Sequence, residues 1–564
     1  MKIYINHVGY LTHGSKFCVV EHPFDPYFYL LEREQLTRIY KGELKRVSGD
    51  LGEAWVGDFS DFCTPGAYLI ECDGQLFQYP TRSETVVIAD NIFDMAIRTI
   101  YNYFPTQRCG DTTLGWASPC HCDDAFSSET GEHRDFAGGW HQSCDVRKWI
   151  FSTAWGLFGM HALQNYTAIQ PWLAGKALEE LKWGNQYFAK LVKENGQLYD
   201  SIIYPNSFEQ REFYDNDPPF CAVANVIAGQ CMVYDAFQST DTDYAEECLK
   251  RAERVWSYYT SEQAPKKGYT PKRVPKCHEW LPHLFEQNYP GSALYEGDRA
   301  FASLWLYQTS KKTCYLEDAI ACAKRLCALQ QAGDPNCEEG AGTFYRDPSK
   351  KQRVSASDDG ALGPLCLLKL SDLAPKGEDR TAFFCAAKRY ADHLAKFSAK
   401  NPWGMVACYD YATPVQGARG QGKSGYYYRY FDNFNTFGVN KDLLGRTLFL
   451  LKIFEREGDR AYLDTATRQI DFILGLNMLN ASTVEGVGRN QPERLFNTTD
   501  FDPKTPQIPG AVMTGIAGHM ATDEPYCNIS LANEYDMPAT SFMLMALIEL
   551  QKLEYGESHS SKGV

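Results

Sequence analysis

The first 84 residues alternate short apolar runs with turn residues. Runs such as Phe17–Glu21, Tyr27–Leu31 and Ala67–Glu71 are rich in β-branched or aromatic residues, and Gly, Pro or Asp separate them. About seven short strands in a stretch of this length indicate a small all-β sandwich domain over residues 1–84. A short linker around Thr81–Thr85 connects this domain to the rest of the chain.

From Asp90 onward the apolar positions recur with the period of an α-helix. The predicted helices are Asp90–Phe104, Asp145–Asn165, Trp172–Glu194, Phe220–Phe237, Thr242–Glu262, Asp298–Thr309, Tyr315–Gln331, Asp358–Ala374, Arg380–Lys396, Asn435–Glu457, Arg460–Leu476 and Ser541–Leu553. Twelve helices with no strand pattern between them predict six hairpins closed into a double ring. The fold class is therefore mainly α: an (α/α)6 barrel over residues 85–558, with a flexible tail at 559–564. Long loops gathered at one end of such a ring would build a cleft.

Composition narrows the classes of function. The net charge of −15 and the lack of a basic stripe argue against a nucleic-acid partner. No uninterrupted apolar run approaches the roughly 18 residues of a membrane span. Aromatic residues make up 14% of the chain, which suits the stacking of rings on sugars, although a large helical core would absorb as many. Nineteen cysteines without a secretory signal favour reduced thiols and a cytoplasmic location. The oligomeric state stays open.

The stretch from Cys109 to His141 holds the ligand types of a closed zinc site. Two thiols and two imidazoles suit a tetrahedral structural zinc ion, and they come from Cys109, Cys120, His121 and His141. The spacing is not that of a zinc finger, so scattered buried thiols are the alternative. Cys122 and His133 are competing ligands.

Two acids are candidates for the proton transfers of glycoside hydrolysis, which needs one carboxylic acid and one carboxylate. Asp145 follows a Gly-Gly-Trp turn and opens a predicted helix, where the dipole stabilises a negative charge. Helix capping is its ordinary alternative. Glu534 lies just before the last helix. Rival acids in the same segments are Asp123, Asp124, Asp523 and Asp536, and spacing does not choose among them.

Taken together, these motifs resemble glycoside hydrolase family 9, a family of inverting cellulase-like enzymes with an N-terminal immunoglobulin-like domain. The matching segments, in chain order, are Asn6-His7-Val8-Gly9-Tyr10, Gln107-Arg108-Cys109-Gly110, Cys120-His121-Cys122-Asp123-Asp124-Ala125, Asp135-Phe136-Ala137-Gly138-Gly139-Trp140-His141, Gly475-Leu476-Asn477 through Gly486-Val487-Gly488, and Asn533-Glu534. The resemblance implies that Glu534 is the general acid and Asp145 the general base. It also implies a structural zinc ion on the four ligands named above, and it leaves a calcium ion open.

The chain departs from the family pattern at two places. The family's Asp-Ala-Gly-Asp reads Gln142-Ser143-Cys144-Asp145, so a neutral amide replaces the aspartate that helps to hold the attacking water. The family's His-x-Arg signature reads Pro492-Glu493-Arg494, which leaves only the arginine. We expect Gln142 to position the water by hydrogen bonding. The predicted substrate-binding residues are Trp140, Arg494, Tyr428 and Asn533.

The expected reaction is hydrolysis with inversion, with the two carboxyl groups roughly 6.5–9.5 Å apart to admit a water. A cytoplasmic enzyme would meet short imported oligosaccharides, so we expect cleavage from a chain end of cello-oligosaccharides or glucosamine-containing oligomers. Recognition of a sugar amine would need a further carboxylate, for which Glu493, Asp523 and Asp536 are candidates. The alternative is a catalytically weakened sugar-binding protein on the same scaffold, which the loss of the aspartate at Gln142 suggests.

Overall fold

The computed structural model describes most of the chain. The described residues are 1–74, 79–166, 171–203, 211–265, 267–271, 279, 282, 285–331, 341–351, 361–411, 414–419, 427–431, 438–492, 505–519, 521–527 and 530–560. Arg494 and Glu493 lie outside them.

The N-terminal domain is a β-sandwich of eight antiparallel strands. The strands are β1 (Lys2–Tyr4), β2 (Phe17–Glu21), β3 (Tyr27–Glu32), β4 (Arg38–Gly49), β5 (Gly52–Asp58), β6 (Gly66–Cys72), β7 (Thr81–Arg82) and β8 (Val86–Ile88). They are ordered β1-β2-β5-β4-β3-β6-β7, with β8 also on β6. The long β4 pairs with β3 along its first half and with β5 along its second, which joins the two layers. Because β8 belongs to this sheet, the sandwich extends to Ile88 and not only to residue 84.

Twelve helices of eight residues or more follow in the part of the chain that the structure describes. They are α1 (Asp94–Tyr101), α2 (Trp155–Gln164), α3 (Pro171–Leu191), α4 (Phe220–Phe237), α5 (Thr242–Tyr259), α6 (Ala293–Ser310), α7 (Thr313–Leu329), α8 (Leu362–Leu373), α9 (Gly377–Ser398), α10 (Asn440–Glu457), α11 (Arg460–Ile473) and α12 (Met537–Ser560). Each overlaps one predicted helix. Two four-residue helices, Tyr103–Thr106 and Ile150–Thr153, lie just after α1 and just before α2. Since α12 continues to Ser560, the first two residues of the predicted tail are helical.

The even-numbered helices form a closed inner ring. Each of them packs on the next, from α2 through α4, α6, α8, α10 and α12 back to α2, and each odd-numbered helix packs outside its even-numbered neighbour. The sequence explains the two rings: α4 is buried nearly all round, whereas α5 buries a single stripe, Ala245, Cys248, Ala252, Val255 and Tyr259. By length and composition α4 could cross a membrane, but most of it is buried inside the ring, as expected for a core helix. This is the predicted (α/α)6 barrel.

The long loops meet at one end of the ring. Connections from an even-numbered helix to the next odd-numbered helix have only two to six residues, so these pairs are antiparallel hairpins and the inner helices run in one direction. The connections from odd-numbered to even-numbered helices are much longer and carry the remaining short elements, β9 (Phe126–Ser127), β10 (Ile202–Ile203), β11 (Glu212–Phe213), β12 (Tyr409–Tyr411), β13 (Tyr427–Arg429), β14 (Ala517–Gly518), β15 (Pro525–Tyr526) and the 3-10 helix Ser530–Asn533. These loops therefore gather at the N-terminal end of the inner ring.

The sandwich is firmly attached to the barrel. Tyr4 packs edge-on against Trp403 of the loop between α9 and α10, with ring centroids 5.0 Å apart. Asn6 donates to the buried Asp471 of α11 at 2.7 Å, and burial raises the pKa of that carboxyl to about 7. Asp50, in the turn between β4 and β5, accepts a hydrogen bond from Tyr428 at 2.6 Å. The two domains therefore share a polar and an aromatic interface.

Candidate functional site

Two loops at the N-terminal end of the inner ring bring Asp145 and Glu534 together. Asp145 lies in the loop before α2, Glu534 lies in the loop before α12, and α2 packs on α12. The Ser143 hydroxyl lies 2.6 Å from Glu534 Oε1 and 3.2 Å from Asp145 Oδ1, so these two carboxyl oxygens are no more than 5.8 Å apart. Residues that are remote in the sequence thus form one site.

Glu534 is placed as a buried acid. Its residue is 7% exposed, and its carbonyl accepts the backbone N–H of Thr514 at 2.8 Å, which anchors the loop. Burial and the nearby negative charge of Asp145 raise the pKa of Glu534 to about 8, while the Ser143 hydrogen bond and Arg147 act in the opposite direction. A carboxyl group in this environment stays protonated at neutral pH and can donate a proton.

Asp145 does not open a helix, and the dipole argument for its charge is wrong. The short helix before α2 begins only at Ile150, so Asp145 lies more than one helical turn away from it. An arginine takes the place of the dipole: Arg147 Nη1 lies 2.5 Å from Asp145 Oδ2, and its backbone N–H donates to Oδ1 at 3.2 Å. Val146 between them has φ of 56°, a strained conformation for a β-branched residue that turns Arg147 back onto the acid.

Gln142 contacts another acid of the site. Its side-chain amide lies 3.5 Å from Asp536 Oδ1. Asp536 also accepts the backbone N–H of Ala539 at 3.0 Å, which caps the start of α12. The main chain of Gln142 is held firmly, because its carbonyl accepts the Tyr103 hydroxyl at 2.7 Å. The role of Gln142 in positioning water stays a prediction.

The two acids meet across a protein hydroxyl, at the place where inversion would need room for a water. Inverting enzymes hold their carboxyl groups roughly 6.5–9.5 Å apart and retaining enzymes about 5–5.5 Å apart. The facing oxygens of Asp145 and Glu534 are at most 5.8 Å apart, and a protein hydroxyl occupies the space between them. In this arrangement a catalytic water between the acids would have to displace that hydroxyl.

A cluster that could hold a metal ion lies next to this site. It consists of Cys109, Cys120, His121 and His141; all four side chains are buried, and one potential ligand atom from each lies within 4.8 Å of the others. Backbone bonds from Cys109 to Gly139 (2.9 Å) and from Gly110 to Cys120 (2.9 Å) hold the loop segments together. The glycines of the Gly-Gly-Trp turn, Gly138 and Gly139, have φ of 98° and 76°, which non-glycine residues adopt only with strain.

The donor set of this cluster fits a tetrahedral thiolate and imidazole site. Cys109 Sγ lies 3.5 Å from His121 Nδ1, and Cys120 Sγ lies 3.5 Å from His141 Nε2. The two competing ligands lie elsewhere: the Cys122 residue is exposed, and His133 pairs with Asp123 at 2.6 Å. Among the described residues this is the one group of three or more such side chains that could bind a metal. His141 is followed directly by Gln142, so a bound ion would hold one end of the segment that carries Ser143 and Asp145.

Trp140 is a core residue, which contradicts its predicted role in substrate binding. The indole is fully buried and donates from Nε1 to Glu180 Oε2 at 3.1 Å. A Cβ added at Gly184 of α3 would lie 1.9 Å from the indole ring, so the helix backbone covers one side of it. Phe104 packs edge-on at 6.1 Å between centroids. No face of the ring is open to a ligand.

Tyr428 is likewise buried, and its hydroxyl is used in the contact with Asp50 between the two domains. The substrate-binding role predicted for Tyr428 is therefore also wrong. Asn533 is buried and directly precedes Glu534, at the end of a 3-10 helix. Its part in substrate binding stays a prediction, and Arg494 lies outside the described residues.

The rival acids are engaged elsewhere, with one exception. Asp124 is fully buried and pairs with Lys148 at 3.1 Å. Asp523 is fully buried and pairs with Arg419 at 2.9 Å and with Arg429 at 3.2 Å. Of the rivals, Asp536 alone contacts the site, through Gln142.

Sequence reasoning missed two members of the site, Ser143 and Arg147. Both lie within two residues of the predicted base, and Ser143 replaces the alanine of the family motif. The serine in place of the family's alanine is therefore the sequence feature that could have indicated a role for Ser143. No signal in the sequence indicated that Arg147 turns back onto Asp145, because this depends on the backbone at Val146.

Comparison with known proteins gives one consistent result. The model of glycosyl hydrolase family 9 matches residues 93–535, and a cellulase N-terminal Ig-like domain matches residues 1–76. A cellodextrinase of Butyrivibrio fibrisolvens is 22% identical over 544 residues, which cover 89% of this chain and 87% of that protein. An endoglucanase D of Acetivibrio thermocellus is 22% identical over 300 residues, 47% of this chain and 46% of that protein.

Solved structures share the fold over nearly the whole chain. A Bacteroides ovatus family 9 protein superposes with a TM-score of 0.68 at 17% identity, covering 98% of this chain and 99% of that one. A zinc-binding triple mutant of a family 9 endoglucanase superposes with a TM-score of 0.66 at 16% identity, covering 96% and 99%. At these identities the structures support the architecture of the chain.

Proposed function

Because the chain belongs to glycosyl hydrolase family 9, we propose that it is an inverting glycosidase that cleaves short β-linked gluco-oligosaccharides from one end. Membership of the family makes the chain a glycosidase that hydrolyses O-glycosyl bonds. The observation that carries the assignment of its acids is the meeting of Asp145 and Glu534 across a single hydroxyl.

In the proposed reaction, Glu534 is the general acid. Its raised pKa keeps the carboxyl protonated at neutral pH, so it can protonate the glycosidic oxygen as the bond breaks. Asp145 removes a proton from the attacking water on the opposite face of the sugar. Its lone pairs now face Arg147 and Ser143, so at least one of these contacts has to open for the water to bind.

Inversion needs a water next to Asp145, and the Ser143 hydroxyl lies between the two acids. We propose that a bound sugar breaks the Ser143 contact and moves the two carboxyl groups apart. The stereochemistry of the first product tests whether the reaction proceeds with inversion. Proton NMR of a β-linked substrate should show the α-anomer first, and initial release of the β-anomer would instead make Asp145 a nucleophile.

For the substrate, we propose cello-oligosaccharides or glucosamine-containing oligomers cut from a chain end. The similarity to a protein named cellodextrinase supports the first class. The sandwich contacts the loop between α9 and α10 at the catalytic end of the ring, through Asp50 and Tyr428, which supports a site closed on one side. For a sugar amine, Asp536 is the best placed carboxylate, because Asp523 is already paired with two arginines.

We further propose that the metal cluster holds zinc in a structural role. Two cysteines and two histidines would fill a tetrahedral shell and leave no position for a catalytic water. Zinc would then stabilise the loop before α2, while the proton transfers stay with Asp145 and Glu534. We also propose a cytoplasmic location. The buried pair Cys109 and Cys120, which must stay reduced to bind a metal, supports it.

The test is an assay of reducing sugar and product length on cello-, xylo-, mixed-linkage and chitosan oligomers. Release of single sugars or dimers from the first minutes would support action from a chain end, whereas a spread of intermediate lengths would contradict it. Glu534→Gln, which keeps the shape of the side chain but has no acidic proton to transfer to the leaving group, is expected to abolish hydrolysis. Asp123→Asn, which alters an exposed acid paired with His133, is the matched control.

A sugar-binding role with weakened catalysis is the second candidate. The ion pair of Asp145 with Arg147, together with the neutral Gln142, is the observation that favours it. Calorimetric binding of an oligosaccharide without any hydrolysis over days would support this candidate. Restoring the aspartate with Gln142→Asp should raise turnover if the remaining machinery is intact.

A further inference from the structure

The Ser143 hydroxyl connects the two acids of the site. It lies within hydrogen-bond distance of Glu534 Oε1 (2.6 Å) and of Asp145 Oδ1 (3.2 Å), and its residue is fully buried. A hydroxyl has one proton and can accept as well as donate. If Glu534 is protonated, its O–H can donate to Ser143 Oγ while the Ser143 O–H donates to Asp145. The three groups then form a continuous chain of hydrogen bonds with no water in it.

We propose that Ser143 is a positioning residue that carries a proton from Asp145 back to Glu534 after each round of hydrolysis, an inference that rests on the proposed inverting reaction. That reaction leaves the base with one extra proton and the acid with one too few. In the return step, the Asp145 O–H bond breaks as its proton passes to Ser143 Oγ. The Ser143 O–H bond breaks as its own proton passes to Glu534, so serine is unchanged and one proton has crossed the site.

The surroundings favour this direction of transfer. The titratable and charged groups that face Glu534 are Asp145, Asp536, Arg147, Cys144 and Tyr103. Arg147 forms an ion pair with Asp145, whereas burial raises the pKa of Glu534 to about 8. A proton placed on Asp145 therefore moves to Glu534 once the sugar has left and the bridge has closed again.

The experiment compares the wild-type protein with Ser143→Ala, which restores the alanine of the family motif and removes only the hydroxyl. Proton return follows bond cleavage, so it enters kcat and leaves kcat/KM unaffected. At the alkaline end of the pH profile hydronium is scarce, and return through solvent becomes slow. We expect kcat of Ser143→Ala to fall severalfold there and to rise again with the concentration of a small buffer acid such as imidazole. The ratio kcat/KM should not fall, because the hydroxyl that the sugar has to displace is absent. The wild-type kcat should not depend on buffer.

Two variants serve as controls. Ser143→Thr keeps a hydroxyl and should keep a kcat that is independent of buffer. Cys144→Ala removes the sulfur that lies 3.9 Å from Glu534 Oε1 but leaves the bridge intact, and its kcat should also be independent of buffer. Thermal melting checks that each variant is folded. A Ser143→Ala protein whose kcat shows neither a fall nor a buffer dependence overturns the relay.

A second readout does not need turnover. Infrared titration of the Glu534 C=O stretch, assigned with Glu534→Gln, reports the protonation of this carboxyl directly. Removing the Ser143 hydrogen bond should move its midpoint to higher pH, because that bond lowers the pKa of Glu534. An unchanged midpoint refutes the coupling. If no oligosaccharide is hydrolysed but the midpoint moves, the proposed function fails while the coupling through Ser143 stands.

Discussion

Replacing Asp145 with asparagine removes the negative charge that faces the buried Glu534 carboxyl. The facing oxygens are at most 5.8 Å apart. At an effective dielectric constant of about 20, two unit charges at that separation repel by about 3 kcal/mol, which corresponds to a fall of about 2 in the pKa of Glu534. Arg147 loses its carboxylate partner in this variant, and its charge acts in the same direction.

The assay is the infrared titration of Glu534 in the wild type and in Asp145→Asn. In the wild type the midpoint should lie well above the ordinary range of a glutamate, since its pKa is raised to about 8. In Asp145→Asn the midpoint should lie about 2 pH units lower, because the repulsion between the two carboxylates is lost. Asp123→Asn, on the same loop but on the surface and paired with His133, should leave it unchanged. Equal midpoints in the wild type and in Asp145→Asn would falsify the electrostatic coupling of the two acids.

Three further predictions concern stability and the metal cluster. A glutamate whose pKa is raised in the folded state stabilises the fold below its unfolded pKa and loses that contribution as pH rises through the folded value. Glu534→Gln should therefore have the same unfolding free energy as the wild type at acidic pH and one that is higher by a few kcal/mol at alkaline pH. A difference in stability that does not vary with pH contradicts this. Cys109→Ser should lose the bound metal in mass spectrometry and melt at lower temperature, whereas Cys122→Ser, with an exposed thiol outside the cluster, should retain both. Trp140→Ala should lower the free energy of unfolding, measured in urea, by about 3–5 kcal/mol, because it leaves a cavity in the core and removes the indole hydrogen bond to Glu180. A loss of sugar affinity without a loss of stability would contradict the assignment of Trp140 to the core.

The helices show which parts of the fold the sequence pattern predicts correctly and which it does not. The predicted and observed bounds agree for α4, Phe220–Phe237, because its nearly uniform burial and its flanking breaks are local properties of the sequence. The prediction failed at the start of the helix Asp145–Asn165, because the chain is irregular from Asp145 to Trp149. A periodic pattern continues through this loop because its apolar residues also pack inside. Periodicity reports burial and cannot tell a buried loop from a helix.

The predicted roles of aromatic residues failed for a similar reason. Trp140 lies close to Asp145 in the sequence, yet its ring points between α2 and α3, where Gly156 and Gly184 make room for it. Tyr428 lies in a tyrosine-rich loop but contacts the other domain. Neighbourhood along the chain does not fix the direction of a side chain.

By itself, the sequence determined the β-sandwich and the twelve helices, because residue spacing is a local property. Its resemblance to the family then selected the four possible metal ligands and the two acids from several candidates that spacing did not separate. Only the tertiary structure decided that Asp145 and Glu534 share one hydroxyl, that Arg147 pairs with Asp145, and that Trp140 lies in the core. These contacts join loops that lie far apart in the chain, as between Ser143 and Glu534, 391 residues apart. Such loops meet because closure of the inner ring sets α2 against α12, and no periodic pattern along the chain encodes where their side chains point.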